Sequence, residues 1–112
     1  MGRPKIKARL EKEGYEIKDF GEWFYDADRY EIPPRPGVYS LFYGNIIQYI
    51  GSSIDLRIRL RNHLDNKYHR RDGYIPFGNY SWYVLNKSVI VDAEDMIIRY
   101  YEPKYNLINA RR

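Results

Sequence analysis

The stretch Gly37-Val38-Tyr39-Ser40-Leu41-Phe42-Tyr43-Gly44-Asn45-Ile46-Ile47-Gln48-Tyr49-Ile50-Gly51 decides the fold. Two runs of aromatic and branched apolar residues flank the pair Gly44-Asn45. Asn and Gly tolerate positive φ, so such a pair favours a tight hairpin turn. We read one strand over 37–42 and a second over 45–50. Each strand carries a tyrosine near a glycine, in Gly37-Val38-Tyr39 and in Tyr49-Ile50-Gly51. Upstream, Pro33, Pro34 and Pro36 exclude a helix before Gly37. Downstream, Gly51 permits a sharp exit and Ser52 can cap a helix, with Asp55 completing a weak capping box.

In that helix Leu56, Leu60 and Leu64 fall four apart and make a core stripe. Arg59 and His63 share another face, and Arg57 and Arg61 share a third, so spacing alone leaves open which pair faces a site. Tyr80 to Leu85 reads as a further strand, and Asn86-Lys87-Ser88 turns away from it. Asp92 can cap a last helix from Ala93 to about Tyr101, stopped by Pro103. Before the hairpin, residues 1–12 alternate basic and apolar positions, as a short amphipathic helix or arm that Gly14 ends. Tyr15 to Tyr30 reads as a packing segment, irregular or helical. The order strand, strand, helix, strand, helix predicts an α+β domain: a small three-stranded antiparallel sheet flanked by helices. Residues 1–34 are expected to form a basic, aromatic N-terminal extension and 35–112 the main unit, in one compact domain overall.

At 112 residues the chain suits one domain with a modest core. The absence of Cys excludes disulfides and thiolate metal sites. No apolar run approaches the roughly 20 residues of a transmembrane helix, so no membrane partner is expected. The charged N-terminus has no apolar signal core behind it, and a cytoplasmic location is expected. The net charge of +4 is unevenly placed. Between Arg57 and Arg71 stand Arg57, Arg59, Arg61, Lys67, Arg70 and Arg71, opposed only by Asp65. Such a patch suits a phosphate backbone, and a solvated helix face is the plain alternative. Thirteen tyrosines are spread along the chain, so residue type alone does not single out the two in the hairpin.

Glu94 is the next informative residue. Ile97, Ile98 and Tyr101 follow it at helical spacing, so its carboxylate lies beside an apolar face. A carboxylate there costs free energy unless it is paired or binds a cation. The plain alternative is an exposed glutamate favoured by the helix dipole, as Asp95 is also placed to be.

Taken together, these residues resemble the GIY-YIG nuclease family. Gly37-Val38-Tyr39 stands for the first tripeptide, with Val38 in place of Ile, and Tyr49-Ile50-Gly51 for the second. Arg59 and His63 follow at the family's usual offset, then Glu94, then Asn106 in Pro103-Lys104-Tyr105-Asn106. The resemblance covers residues 37 to 106, and it favours Arg59 over its neighbours as the site arginine. It implies a metal-dependent DNA endonuclease, and the length of the chain leads us to expect a stand-alone one. Tyr39 is implied as general base for the attacking water and Tyr49 as a group that positions water or phosphate. Arg59 is implied as a clamp on the phosphoryl oxygens and His63 as a proton relay or phosphate contact. Glu94 is implied as the ligand of magnesium or manganese, and Asn106 as a group that orients a neighbour. An unperturbed tyrosine titrates at about 10, so a basic Tyr39 needs nearby positive charge or a relay.

Arg57, Arg61, Lys67, His69, Arg70 and Arg71 are expected to contact DNA, with His69 as a bystander in the alternative. Tyr68, Tyr74 and Phe77 are interleaved with the later cations of that group. Dimerisation or a separate targeting partner is expected to add specificity. The competing reading is a non-catalytic nucleic-acid-binding module that keeps the fold.

Overall fold

The computed structural model describes residues 3–69 and 74–109, and at residues 68, 69, 108 and 109 the backbone alone. The hairpin forms as the sequence predicts: β2 (Gly37–Tyr43) and β3 (Ile46–Ser53) are antiparallel and joined through Gly44-Asn45. Gly44 takes φ +62 while Asn45 does not enter the positive region, so glycine alone supplies the turn's unusual backbone. Strand β3 runs to Ser53, three residues further than expected.

The helix α2 (Leu56–His69) follows. Its cap is Asp55, whose Oδ1 accepts from the Ile58 N–H at 3.1 Å, and not Ser52, which still lies in β3. Leu56, Leu60 and Leu64 are all buried, as their spacing predicts, and each stabilises the fold by about 1.5–3 kcal/mol.

The sheet has four strands where the sequence predicts three. Strand β4 (Asn79–Val84) is the expected strand after α2, and β1 (Asp19–Phe24) is the additional one. The order is β1-β4-β2-β3, with every neighbouring pair antiparallel. Strand β1 lies within the segment expected to be irregular or helical. It is an edge strand, its register shifts between Gly21 and Phe24, and Trp23 within it takes φ +61. Of its residues only Gly21 is buried, so no alternation of apolar side chains marks it.

Helix α1 (Ile6–Lys12) precedes β1, and α3 (Ile90–Tyr101) and α4 (Lys104–Asn109) close the chain. Helix α3 begins three residues before the expected start, so Asp92 lies in its first turn instead of capping it. Glu102 ends α3 in the left-handed conformation at φ 48, and Pro103 follows.

Strand alternation divides the core across the sheet. Val38, Phe42, Ile50 and Tyr83 pack with Ile6 and Leu10 of α1 and Ala93 and Ile97 of α3. Tyr39, Leu41, Tyr80 and Trp82 pack on the other face with the leucines of α2. The N-terminal segment thus supplies both an edge strand and part of the core.

A β-bulge takes up Gln48: Leu41 pairs with Tyr49 but Phe42 pairs with Ile47. Ile47 and Tyr49 are two residues apart, yet they pack on opposite faces. The bulge therefore carries Tyr49 onto the face of Tyr39.

Gly37 sits where there is no room for a side chain. A Cβ there would meet the Tyr83 carbonyl oxygen and the Leu56 side chain. Gly37→Ala is expected to lower the unfolding free energy by about 1–3 kcal/mol through this overpacking. Urea unfolding checks it: the midpoint falls while the slope with denaturant is unchanged, and an unchanged midpoint contradicts the close approach.

Candidate active site

Tyr39 stands opposite Gly51 in the hairpin register, and a Cβ at Gly51 would run into the Tyr39 hydroxyl. The glycine of the second tripeptide thus makes room for the tyrosine of the first. The Tyr39 ring is only 2 % exposed. Its hydroxyl lies 2.9 Å from Nε2 of His63, on the second turn of α2, and one hydrogen joins the two atoms. Tyr49 completes an aromatic cluster, its ring centre 6.2 Å from that of Tyr39 and 5.6 Å from that of His63.

The electrostatics of this cluster favour neutral groups. Burial pushes the Tyr39 phenol well above its ordinary value; Tyr49 and Glu94 add to the rise, and Arg59 opposes it without prevailing. The positive charge that a basic Tyr39 requires is therefore present but outweighed. Burial, helped by Arg59, pushes the His63 imidazole down to about 4. At neutral pH the pair is a protonated phenol beside an uncharged imidazole.

Glu94 lies on α3, which packs on the opposite face of the sheet, and is half-buried. Its Oε1 accepts from the Ser52 hydroxyl at 2.9 Å. Burial raises the Glu94 carboxyl above its usual range, while Ser52 and Arg59 pull it back. Ser52 is the site residue that sequence reasoning missed, because its position after Gly51 also suits a helix cap.

Arg59 is exposed on the first turn of α2, and its charge reaches Tyr39, His63 and Glu94 alike. Tyr39, Tyr49, Arg59, His63 and Glu94 are thus brought within one electrostatic neighbourhood. Asn106 stands behind them. Its Oδ1 accepts from the Ile50 N–H at 2.8 Å and its Nδ2 donates to the Ile50 carbonyl at 2.7 Å. The amide continues the sheet like a short strand and fixes β3 between Tyr49 and Gly51.

The cations expected to meet DNA divide into two groups. Arg57 donates its Nε–H to the Ile32 carbonyl at 2.6 Å, and the Arg61 guanidinium lies 5.8 Å from the Tyr30 ring centre. Lys67 stands over Phe77 at 5.1 Å. His69 is the last residue of α2, but its side chain lies outside the described residues, as do Arg70 and Arg71 altogether.

Among the described residues no group of three or more His, Asp or Glu side chains is placed to hold a metal ion. The donor set at Glu94 nevertheless fits one particular kind of cation. A single half-buried carboxylate with its charge incompletely compensated suits magnesium, which keeps several waters and takes few protein ligands.

No family model and no curated protein matches the chain. Solved structures do. The magnesium-bound GIY-YIG N-terminal endonuclease domain of UvrC from Thermotoga maritima is 29 % identical, with a TM-score of 0.55. That match covers 74 % of this chain and 99 % of the other. A tyrosine-to-phenylalanine mutant of the same domain, bound to its catalytic divalent cation, is 28 % identical at TM-score 0.55, over 74 % and 98 % of the two chains. An asparagine-to-alanine mutant, also cation-bound, is 28 % identical at TM-score 0.54, over 73 % and 97 %. The present chain therefore shares the fold of a GIY-YIG nuclease domain.

The depressed His63 sets a pH dependence of stability. The unfolded chain takes up a proton on this ring near its ordinary pKa of about 6.5, whereas the folded protein resists until about 4. The contribution is complete above the unfolded value and is lost as pH falls between the two, by about 3 kcal/mol in all. Glu94 acts with the opposite sign, so the comparison is between wild type and His63→Gln. Denaturant unfolding at steps from pH 7 to pH 4 is expected to fall more steeply for wild type; parallel curves contradict the buried neutral ring.

Proposed function

We propose that this protein is a divalent-metal-dependent endonuclease that hydrolyses phosphodiester bonds in DNA. The observation that carries the reading is the Tyr39–His63 contact at 2.9 Å, with Glu94 and Arg59 in electrostatic reach of it on a GIY-YIG sheet. The magnesium bound by the Thermotoga maritima domain supports the choice of cation.

The residues divide the work as follows. His63 is neutral and carries its hydrogen on Nδ1, so Nε2 accepts from the Tyr39 hydroxyl. As water attacks phosphorus, Tyr39 takes the water's proton and passes its own to His63 Nε2. A phenol held above its ordinary pKa is a poor free base, but in this relay it never becomes a lone phenolate. The imidazolium that forms is stabilised by the anionic phosphate beside it. Arg59 binds non-bridging oxygens and stabilises the charge that grows on them in the transition state. Tyr49 holds Tyr39 and the water in line. Ser52 fixes one oxygen of Glu94, leaving the other to face a cation. Magnesium or manganese, when bound by Glu94, supplies Lewis acidity for the departing 3′ oxygen.

Cleavage of labelled duplex, flap and junction DNA, with magnesium or manganese against a chelator, tests the reading. Glu94→Gln is expected to abolish metal-dependent cleavage with the fold intact by circular dichroism. Tyr39→Phe is expected to lower cleavage about 10²–10⁴-fold, with DNA affinity within a few-fold of wild type. Binding without cleavage by the wild type, across all metals and substrates, favours the non-catalytic binding module instead. Unchanged cleavage in Tyr39→Phe removes the relay.

A further inference from the structure

The cations of α2 are partly engaged by the protein itself, through Ile32, Tyr30 and Phe77. A different set is not. Lys18, Arg35 and Lys87, all exposed, line a cleft of about 240 Å³ against the backbone of residues 84–86. The three are far apart in sequence, and none belongs to the basic window from Arg57 to Arg71. Strand pairing assembles them. The Lys18 N–H donates to the Val84 carbonyl at 2.9 Å, and the Leu85 N–H donates to the Pro36 carbonyl at 3.1 Å. Those two bonds draw the segments before β1 and β2 to the end of β4.

No Asp or Glu lines this cleft, and none of the three cations forms a salt bridge with another described residue. Three cations lining one cleft with no acidic neighbour give it a positive potential that favours an anion. The position suggests which anion. Gly37 pairs with both Ser53 and Val84 in the row at this end of the sheet. Tyr39 and Gly51 stand two residues further in, about 7 Å along the strands. Successive phosphates of one DNA strand advance by about 3.4 Å along the helix axis, so a strand that runs from Tyr39 toward this end of the sheet carries further phosphates past the cleft.

We propose that Lys18, Arg35 and Lys87 form a second phosphate-binding subsite, which holds a backbone phosphate of the DNA strand a few nucleotides from the cleaved one. This rests on the reading of the protein as a DNA endonuclease. The subsite positions the strand and reads no sequence, because phosphates are alike at every step.

The test measures binding of a labelled duplex oligonucleotide over a salt series, in a Glu94→Gln background so that no cleavage intervenes. In that background Lys18→Gln, Arg35→Gln and Lys87→Gln are combined, and Arg99→Gln serves as a control arginine on the exposed side of α3. The triple variant is expected to bind more weakly at low salt and to flatten the slope of log affinity against log salt by about 0.9 for each phosphate no longer neutralised. With Glu94 restored, the same three substitutions are expected to raise KM and leave kcat near its wild-type value. A triple variant whose slope and affinity equal those of its parent, while the parent binds DNA, overturns the subsite alone. A parent that shows no salt-dependent DNA binding overturns the subsite and the endonuclease reading together. A slope that falls as much per removed charge in Arg99→Gln reduces the effect to general charge and also overturns the subsite.

Discussion

The Tyr39 hydroxyl occupies the space that a side chain at Gly51 would need, and this contact fixes how the two halves of the motif meet. With Gly51 bare, the Tyr39 ring can lie across β3 and reach His63 on α2. The bulge at Gln48 then brings Tyr49 to the same face, so three rings share one cluster, with Tyr39 buried and the other two partly so. Asn106 holds the edge of β3 at Ile50, one residue from both Tyr49 and Gly51. A shift of β3 by one residue would turn Tyr49 to the opposite face and place a side chain opposite Tyr39. The site is therefore as rigid as the hairpin register.

Burial decides the electrostatics of this cluster. Arg59 favours the phenolate, but an exposed guanidinium loses to the cost of desolvating an anion in the core. The same burial keeps His63 uncharged, and Arg59 reinforces it there. One cation thus opposes the neutral state of Tyr39 and supports that of His63, and the outcome is a neutral pair. Glu94 differs because only part of it is buried and Ser52 donates to it, so burial raises its carboxyl while that hydrogen bond favours the anion.

Much of this is legible in the sequence, for reasons that can be traced. The hairpin declares itself through Gly44-Asn45 between two apolar runs, and the leucines of α2 through strict spacing at four. Both signals are local. Strand β1 is not legible, because an exposed edge strand interrupted by Trp23 at positive φ carries no alternating pattern. Ser52 reads as a helix cap because a hydroxyl before a helix suits that role, and only the tertiary fold shows it facing Glu94. The bulge leaves no mark in the order of residues, so nothing in the sequence tells that Ile47 and Tyr49 point to opposite sides. The motif identifies Tyr39 and His63 as partners in a site but not their neutrality, which depends on how deeply the core encloses them. The cleft of Lys18, Arg35 and Lys87 is hidden for a related cause: strand order, not sequence proximity, brings its members together.

The state of the His63 ring in the metal-free protein tests the proposed chemistry most directly. Long-range ¹⁵N–¹H NMR spectra at pH 7 report which imidazole nitrogen carries a hydrogen. The expected result is a neutral ring with hydrogen on Nδ1 and a bare Nε2 accepting from Tyr39, persisting well below the pH at which an ordinary histidine is protonated. A ring protonated on both nitrogens at pH 7, or one whose Nε2 carries the hydrogen, would contradict the relay on which the proposed chemistry depends.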